Sequence, residues 1–288
     1  MSVNNFEKSK HITAESLIKE VSELIHDKKD HKINAIWLEA TGCSGNIMSF
    51  INGENPGLLD ILTGIIDLKF NNTLMTTEGD KAFEQFLNTL NTEFILLVDG
   101  AVSTKDNGGY NIIANYKGKP VTALEAVTMA GEKAKYVIAV GTCACYGGIS
   151  AAAPNPSQSK SVKEVLNREI IRLPCCPSHP DWVIGTLAHL VGFGMPELDE
   201  QSRPVVFYGV TIHDNCTRRG FFDKQIFAKK LGDTGCMFKL GCRGPVTKTD
   251  CPRRKWNGYV NWPVEANTPC IGCAQPYFPD GMEPFARY

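Results

Sequence analysis

The chain has 288 residues, enough for one large or two modest domains with a substantial hydrophobic core. Its net charge of −1 gives no reason to expect nucleic acid or an anionic membrane surface as a partner. No stretch approaches the roughly 18 apolar residues of a membrane span, and residues 1–32 are polar, without the apolar segment of a secretory signal. We therefore expect a cytoplasmic protein, in which the 11 cysteines favour metal binding over disulfides.

Strands and helices alternate over the first two thirds of the chain. Residues 12–28 place apolar side chains at helical spacing and predict an amphipathic helix within an N-terminal extension, residues 1–32. A strand at Ile33–Leu38 follows, then a glycine-containing loop, and helical spacing resumes at Ile47. Further strands are predicted at Glu93–Asp99, Tyr136–Val140, Ile170–Leu173 and Val205–Val210, and helices at Thr122–Lys133 and from about Asp181 to Val191. Because several strands are apolar throughout, we expect a doubly wound α/β domain over residues 33–195, with helices on both faces of a parallel sheet.

The last third of the chain loses this periodicity. Residues 196–288 are rich in Gly, Pro and aromatic side chains and contain six cysteines. Such a segment has too little regular apolar pattern to form a large core alone, and metal clusters would supply the missing cross-links. We therefore expect an irregular C-terminal domain that is held together by metal.

Three cysteine-containing loops of the α/β domain share one position in the fold. Cys43 follows the first predicted strand, Cys143 follows the strand at 136–140, and Cys175 and Cys176 follow the strand at 170–173. In open parallel sheets, ligands bind outside the carboxyl ends of the strands. The alternative, three inert core thiols, is disfavoured because Gly- and Pro-containing loops at strand ends are poor places for core residues. Cys43, Cys143 and Cys176 are therefore expected to converge on one metal group.

A second set begins with His213 and Cys216 and continues with Cys236 and Cys242. One His and three Cys can hold zinc tetrahedrally or an iron–sulfur cluster, and spacing alone does not choose between them.

A third set consists of Cys251, Cys270 and Cys273 near the end of the sequence. A lone C-x-x-C is a weak signal, because zinc ribbons and redox dithiols share it. Zinc would want a fourth ligand, whereas a cuboidal [3Fe–4S] cluster needs only three thiolates, so the three-fold set favours iron.

Seven segments, in order, carry a close resemblance to the small, electron-transferring subunit of [NiFe] hydrogenases. They are WLEATGCSGN (37–46), AVGTCACYGG (139–148), LPCCPSHPDWVIGTL (173–187), HDNCTRRGFFD (213–223), CMFKLGCRGPVTKTDCP (236–252), WNGYVNWPV (256–264) and PCIGCAQPYFPD (269–280). The pattern resembles the cytoplasmic, oxygen-resistant uptake type of the family. The resemblance implies a flavodoxin-like α/β domain followed by an irregular iron–sulfur domain.

The resemblance also implies three clusters. A proximal cluster falls on Cys43, Cys143 and Cys176, which we call the proximal set. The distal set is His213, Cys216, Cys236 and Cys242, and the medial set, holding [3Fe–4S], is Cys251, Cys270 and Cys273. Electrons from H2, split at a Ni–Fe centre in a separate large subunit, would pass from the proximal to the medial to the distal cluster.

The proximal set departs from the family, which usually shows C-x-x-C in the first loop. Here that loop reads Cys43-Ser44-Gly45-Asn46, so the fourth thiolate is missing. Either the proximal cluster is [3Fe–4S], the preferred interpretation, or Asn46, water, Cys145 or Cys175 fills the gap. A missing thiolate should raise the cluster's potential. The distal cluster is left open as [4Fe–4S] or [3Fe–4S].

The expected partners are the large subunit, in a heterodimer that assembles further, and an external acceptor, for which the quinone pool is favoured. Membrane association through other proteins is left open. Other functions also remain open at this stage. The chain could serve a hydrogen-sensing regulatory complex, act as a stand-alone ferredoxin-like carrier, or be a zinc-stapled interaction protein.

Overall fold

The computed structural model describes residues 32–54 and 56–279. The helix predicted at 12–28 lies outside the described residues. The chain divides into two compact units, Met1–Val206 and Phe207–Tyr288, and each is described by itself.

The first unit is built on a five-stranded parallel sheet. Its strands follow the spatial order β2-β1-β3-β7-β9. Their bounds are β1 (Ile33–Glu39), β2 (Ile66–Asn71), β3 (Phe94–Asp99), β7 (Tyr136–Val140) and β9 (Ile171–Leu173). Counting these strands along the chain gives the order 2-1-3-4-5 of flavodoxin-like folds. The predicted doubly wound parallel sheet is confirmed.

Helices and short strands fill the connections between the sheet strands. The helices are α1 (Gly45–Ile51), α2 (Leu58–Gly64), α3 (Gly79–Thr89), α4 (Ala123–Lys133), α5 (Gly141–Tyr146), α6 (Val162–Leu166) and α7 (Pro180–Gly192). The short strands form two antiparallel pairs, β4 (Val102–Ser103) with β8 (Ser159–Lys160), and β5 (Ile112–Tyr116) with β6 (Lys119–Thr122). Two 3-10 turns, Lys105–Gly108 and Gly148–Ala151, complete the unit.

Burial on both faces of the sheet explains why its central strands are apolar throughout. Ile36 and Leu38 of β1 join the core cluster that contains Phe86 of α3 and Val127 of α4. Trp37, between them, points to the opposite face and packs on Phe50 of α1 with ring centroids 5.0 Å apart. Successive side chains of a strand alternate between faces, so both faces need apolar residues.

The strand predicted at Val205–Val210 is wrong, because the structure has a short helix, α8 (Val205–Tyr208), at that place. The run of β-branched residues is typical of a strand, but the β9 edge of the sheet is already hydrogen-bonded. The amide of Arg172 in the edge strand β9 donates to Ser202 O at 2.8 Å, and Val205 N donates to Glu197 O at 2.9 Å. The edge is thus occupied by a turn.

The second unit has little regular structure between residues 207 and 279. Beyond the end of α8, it contains α9 (Arg219–Asp223), α10 (Cys251–Arg254) and two 3-10 turns, Met237–Leu240 and Gly244–Val246. Isolated bridges join Thr211 to Lys248, Phe227 to Cys236 and Trp256 to Asn261. The irregular character predicted for this region is confirmed. In the part of the chain that the structure describes, no helix has the length and hydropathy needed to cross a bilayer.

Candidate iron–sulfur sites

The three proximal cysteines lie at the carboxyl edge of the sheet. Cys43 is in the loop after β1, Cys143 lies in α5 directly after β7, and Cys176 is in the loop after β9. Cys43 and Cys176 are exposed at this edge and Cys143 is half-buried. Burial raises the pKa of the Cys143 thiol, and the nearby charges of Asp99 and Cys43 raise it further.

Contacts at two glycines show how closely the proximal loops approach one another. A methyl group on Gly45 would lie 3.1 Å from Cys43 Sγ and 3.6 Å from Pro177 Cβ, so Cys43 lies beside the residue that follows Cys176. A methyl group on Gly148 would lie 2.8 Å from Cys143 Sγ. These glycines keep the space around two thiols clear. The structure thus brings the predicted proximal set to one edge of the sheet, and the ligand role of each residue stays a prediction.

Cys145 and Cys175, the two described cysteines of the first unit outside the proximal set, are both buried. Cys145 is fully buried in the hydrophobic core, where its Sγ donates to Ala139 O at 3.2 Å. Burial raises the pKa of this thiol far above its usual range. Cys175 is also buried, and its carbonyl accepts from Thr142 N at 2.9 Å, which ties the β9 loop to the start of α5. Cys145 therefore has the environment of an apolar core residue.

Asn46 is buried, and its side-chain amide forms hydrogen bonds with residues at or just after the ends of three strands. Its Nδ2 donates to Asp99 Oδ1 at 2.7 Å and to Val140 O at 3.4 Å. Its Oδ1 accepts from Ser178 N at 2.7 Å. These bonds join the ends of β3 and β7 and the loop after β9 to α1. Asn46 therefore holds the proximal loops together, and its oxygen already accepts one hydrogen bond from the protein.

Asp99, which ends β3, is the most perturbed carboxyl group of the first unit. Burial raises its pKa from 3.8 to about 7, against the opposing hydrogen bond from Asn46, and Glu39 adds to the rise. Its Oδ2 is buried without a hydrogen-bond partner among the described residues. Glu39, in contrast, accepts from Asn71 Nδ2 and Thr73 Oγ1, the loop-stabilising role expected for a strand-end carboxylate. The sequence signal for Asp99 was a lone carboxylate ending an apolar strand, which does not reveal its environment.

The distal set is assembled within the second unit by backbone hydrogen bonds. Cys216 N donates to His213 O at 3.3 Å, and His213 N donates to Gly244 O at 3.1 Å. A methyl group on Gly244 would lie 3.5 Å from Cys242 Sγ, which places that thiol beside His213. Burial raises the pKa of Cys216, and the charges of Cys242 and Cys236 raise it further. The four residues therefore form one local group.

His213 has the electrostatics of a neutral imidazole. Burial lowers its pKa, and the neighbouring Arg219 lowers it further. A neutral ring leaves one nitrogen free to ligate a metal. The ring also packs edge-on against Phe222, with centroids 4.5 Å apart.

The medial set lies deeper in the same unit. Cys251 and Cys270 are buried, and Cys273 is half-buried. Burial raises the pKa of Cys270 strongly, and the charges of Cys273, Cys242 and Cys251 add to the effect. Thr249 Oγ1 donates to Cys251 Sγ at 3.0 Å, a thiol-directed hydrogen bond that no sequence motif had indicated. Hydrogen bonds to cysteine sulfur are one means by which proteins set cluster potentials.

The chemistry of these thiols fits iron–sulfur clusters. Raised pKa values mean that the thiols stay protonated until a metal displaces the proton, so cluster binding and folding are coupled. No group of three or more His, Cys, Asp or Glu side chains converges tightly enough for a single ion anywhere in residues 32–54 and 56–279.

Comparison with known proteins agrees with this architecture. Residues 208–286 match the family model for the C-terminal part of the NiFe/NiFeSe hydrogenase small subunit, and residues 43–190 match that of the NADH ubiquinone oxidoreductase 20 Kd subunit. The periplasmic [NiFeSe] hydrogenase small subunit of Desulfomicrobium baculatum is 39% identical over 274 residues, covering 88% of this chain and 87% of the relative. The quinone-reactive Ni/Fe-hydrogenase small chain of Wolinella succinogenes is 32% identical, covering 88% and 73%.

A solved structure extends the likeness to the fold. Recombinant [NiFeSe] hydrogenase from Desulfovibrio vulgaris Hildenborough gives a TM-score of 0.85 at 34% identity, covering 90% of this chain and 98% of that one. A flavodoxin-like sheet followed by an irregular cysteine-rich unit is thus the architecture of an iron–sulfur subunit of an oxidoreductase. The chain belongs to the [NiFe] hydrogenase small-subunit family. Members of this family carry iron–sulfur clusters and pair with a large subunit in an active hydrogenase.

Proposed function

We propose that this chain relays electrons from H2 oxidation, at the Ni–Fe site of its large subunit, through the proximal, medial and distal groups to an external acceptor. The observation that supports the relay best is the adjacency of the medial and distal sets. The charge of Cys242, a distal residue, raises the pKa of Cys270, a medial one, and Arg243 N donates to Cys270 O at 2.7 Å. Two cysteine groups this close suit successive electron-transfer steps.

The clusters, when bound, supply reversible one-electron chemistry, while the protein supplies placement and insulation. In the second unit, Trp262 and Val264 are buried and contribute to its apolar interior. The Thr249 hydroxyl directs the positive end of its O–H dipole at the sulfur of Cys251, a medial residue. In the first unit, the Asn46 network fixes the loops that present Cys43, Cys143 and Cys176.

The proposal includes the cluster types that the cysteine pattern predicts. The proximal and medial clusters are proposed to be [3Fe–4S], and the distal cluster [4Fe–4S] or [3Fe–4S]. The commitment of Asn46 to the protein, and of Cys145 to the core, supports a proximal site with three thiolates.

The proposal extends to the location of the protein and to its electron acceptor. We keep the cytoplasmic location and the further assembly of the heterodimer as proposals, although relatives in Desulfomicrobium and Solidesulfovibrio are named periplasmic. The name of the Wolinella relative, quinone-reactive, supports a quinone route for that protein. For this chain, the surface around His213 bears on the choice of acceptor.

The test is spin quantitation by EPR of the oxidised complex, purified with its large subunit and reducing a dye with H2. Oxidised [3Fe–4S] clusters are paramagnetic and oxidised [4Fe–4S] clusters are not, so about three spins per chain would indicate three [3Fe–4S] clusters. About one would mean that only the medial cluster has three irons. Cys143→Ala should remove the proximal signal, whereas the matched Cys145→Ala should keep it. Four zinc ions and no acid-labile sulfide would overturn the proposal.

A further inference from the structure

The surface above the distal set is more basic than the rest of the chain. Residues 213–243 contain seven Lys and Arg against three Asp, a net +4, while the whole chain carries −1. The rest of the molecule is therefore acidic, and the positive charge is concentrated around the residues of the distal set. Concentrated charge of this kind steers charged partners during association.

The acidic residues of this segment are already occupied. Asp214 and Asp223 both pair with Arg219, and Asp233 Oδ2 accepts the backbone amides of Lys229 and Lys230. Arg218 is turned inward and donates to the carbonyl oxygens of Asp233 and Gly235.

Three lysines are left facing solvent. Lys224, Lys229 and Lys230 are exposed, and none forms an ion pair within residues 32–54 and 56–279. Their charges can therefore act on an approaching molecule.

Apolar side chains lie among these lysines. Ile226 is 47% exposed, Leu231 57% and Phe238 47%. We call these three residues, together with Lys224, Lys229 and Lys230, the docking surface. Exposed apolar side chains surrounded by charge are typical of transient protein interfaces.

The docking surface is connected directly to the distal set. Phe238 packs edge-on against Phe222 with centroids 5.6 Å apart, and Phe222 packs on His213 at 4.5 Å. Backbone hydrogen bonds also join Cys236 to this surface. Its amide donates to Ile226 O and its carbonyl accepts from Ala228 N, both at 2.9 Å. A molecule seated on Phe238 would be two ring contacts away from His213.

We propose that the docking surface receives a small, soluble, acidic one-electron carrier protein, which accepts electrons from the distal site. This inference rests on the proposed electron-relay function and names its acceptor class. Three unpaired ammonium groups do not attract a neutral quinone. They attract an acidic protein, which raises its rate of association and fixes its orientation on the surface. Each H2 yields two protons and two electrons, and so reduces two oxidised carriers to two reduced carriers.

The first test compares acceptors with the purified complex of both subunits under H2. The probes are an acidic rubredoxin, a basic c-type cytochrome of similar size, a water-soluble benzoquinone and an uncharged dye. We expect rubredoxin to be reduced with the lowest KM, and its KM to rise about tenfold when salt is raised from low to high concentration. Dye reduction should not respond to salt in this way.

The second test reverses the charge of the loop. In the double variant Lys229→Glu with Lys230→Glu, the ratio of rubredoxin-linked to dye-linked rate should fall about tenfold, because both steering charges now repel the carrier. The matched control is Lys81→Glu with Lys119→Glu, the same charge change on exposed lysines of the first unit, and it should keep the wild-type ratio.

Four results would overturn the inference. An unchanged ratio in the Lys229/Lys230 variant would remove the surface from acceptor binding, and preference for the basic cytochrome or the benzoquinone would name another acceptor class. Salt-sensitive binding of the complex to vesicles containing phosphatidylserine, lost in the same variant, would assign the lysines to a membrane instead. If H2 reduces neither dye nor carrier, the electron-relay function itself fails, and the docking inference fails with it.

Discussion

At the scale of single residues, Asn46 stands where a fourth cysteine of the proximal set would be expected. Residues 40 and 46 both lie three positions from Cys43, so a cysteine at either one would complete a C-x-x-C. Position 46 is occupied by an amide that bonds to Asp99 and Ser178. Position 40 is a partly buried alanine that packs against the core cluster. Position 46 therefore belongs to a hydrogen-bond network and position 40 to the edge of the core.

The paired variants Asn46→Cys and Ala40→Cys test this reasoning. The sequence alone predicts that Asn46→Cys converts the proximal site to [4Fe–4S] and lowers its potential. With the structure, we expect Asn46→Cys to keep the spin count and to lose about 1–3 kcal/mol of stability, because buried hydrogen-bonding groups lose their partner. Ala40→Cys, which adds a thiol at the same spacing but against the core cluster, should also keep the spin count. Loss of the spin in Asn46→Cys instead would show that residue 46 faces the cluster.

Asp99 gives the first unit a specific dependence on pH. Its pKa is about 7 in the folded protein and close to 3.8 when exposed, so the folded state holds a proton that the unfolded state releases. The stabilisation from this proton is complete below pH about 4 and is lost as the pH rises through about 7. A shift of about three pKa units corresponds to roughly 4 kcal/mol over the whole window, as an upper bound.

Asp99→Asn should remove this dependence, because the amide does not titrate. We expect the melting temperature of the wild-type protein to fall between pH 5 and pH 8 by more than that of the variant. Infrared difference spectra across the same range should show a protonated carboxyl band that disappears in the variant. Equal pH slopes for both proteins would mean that Asp99 is ionised throughout.

At the scale of elements, the turn from β7 into α5 depends on close approach. Gly141 has a positive φ of 80°, and a methyl group there would clash with Asn46 Nδ2. Gly118, in the turn between β5 and β6, has a similar φ of 77° with nothing within 4 Å of the same position. Gly118 therefore has backbone strain alone, whereas Gly141 combines backbone strain with a steric clash.

Alanine substitution at the two glycines should have unequal effects. Gly118→Ala is expected to cost about 1 kcal/mol, the conformational cost alone. Gly141→Ala should cost several times more, since Asn46 must move and the strand-end loops loosen with it. Thermal melting measures both costs, and iron analysis should show a deficit in Gly141→Ala only. Equal costs would mean that the Asn46 network yields without penalty.

The same elements show how much of the fold could be predicted from the sequence. Tyr136–Val140 was predicted to the residue and Phe94–Asp99 to within one, because burial on both faces demands an uninterrupted apolar run. β2 (Ile66–Asn71) was missed, although the alternation of its apolar residues with Asp67 and Lys69 is the pattern of a half-buried edge strand. The cysteine groups followed from strand ends and resemblance. The bonds of Asn46 could not be predicted, because its partners lie 53 to 132 residues away.

At the scale of the whole molecule, the two units differ in what holds them together. The first unit has a continuous apolar core around its sheet. Between residues 207 and 279, the second has no strand beyond isolated bridges and no helix longer than five residues. Six cysteines of this unit are predicted to bind clusters. Burial raises the pKa of three of them, Cys216, Cys236 and Cys270. We therefore expect the second unit to depend on bound metal for its cross-links.

Removal of iron should unfold the second unit before the first. After anaerobic treatment of the purified complex with a chelator, amide hydrogen exchange should become fast in peptides from residues 236–273, which contain the medial set and two cysteines of the distal set. Peptides from β1, β3 and β7 should stay protected, because their hydrogen bonds belong to a sheet buried on both faces. Cys251→Ala should reproduce part of this pattern without a chelator, whereas Cys145→Ala should leave residues 236–273 protected. Uniform loss of protection across the chain would mean that the two units unfold together, and that the sheet depends on the clusters as much as the irregular unit does.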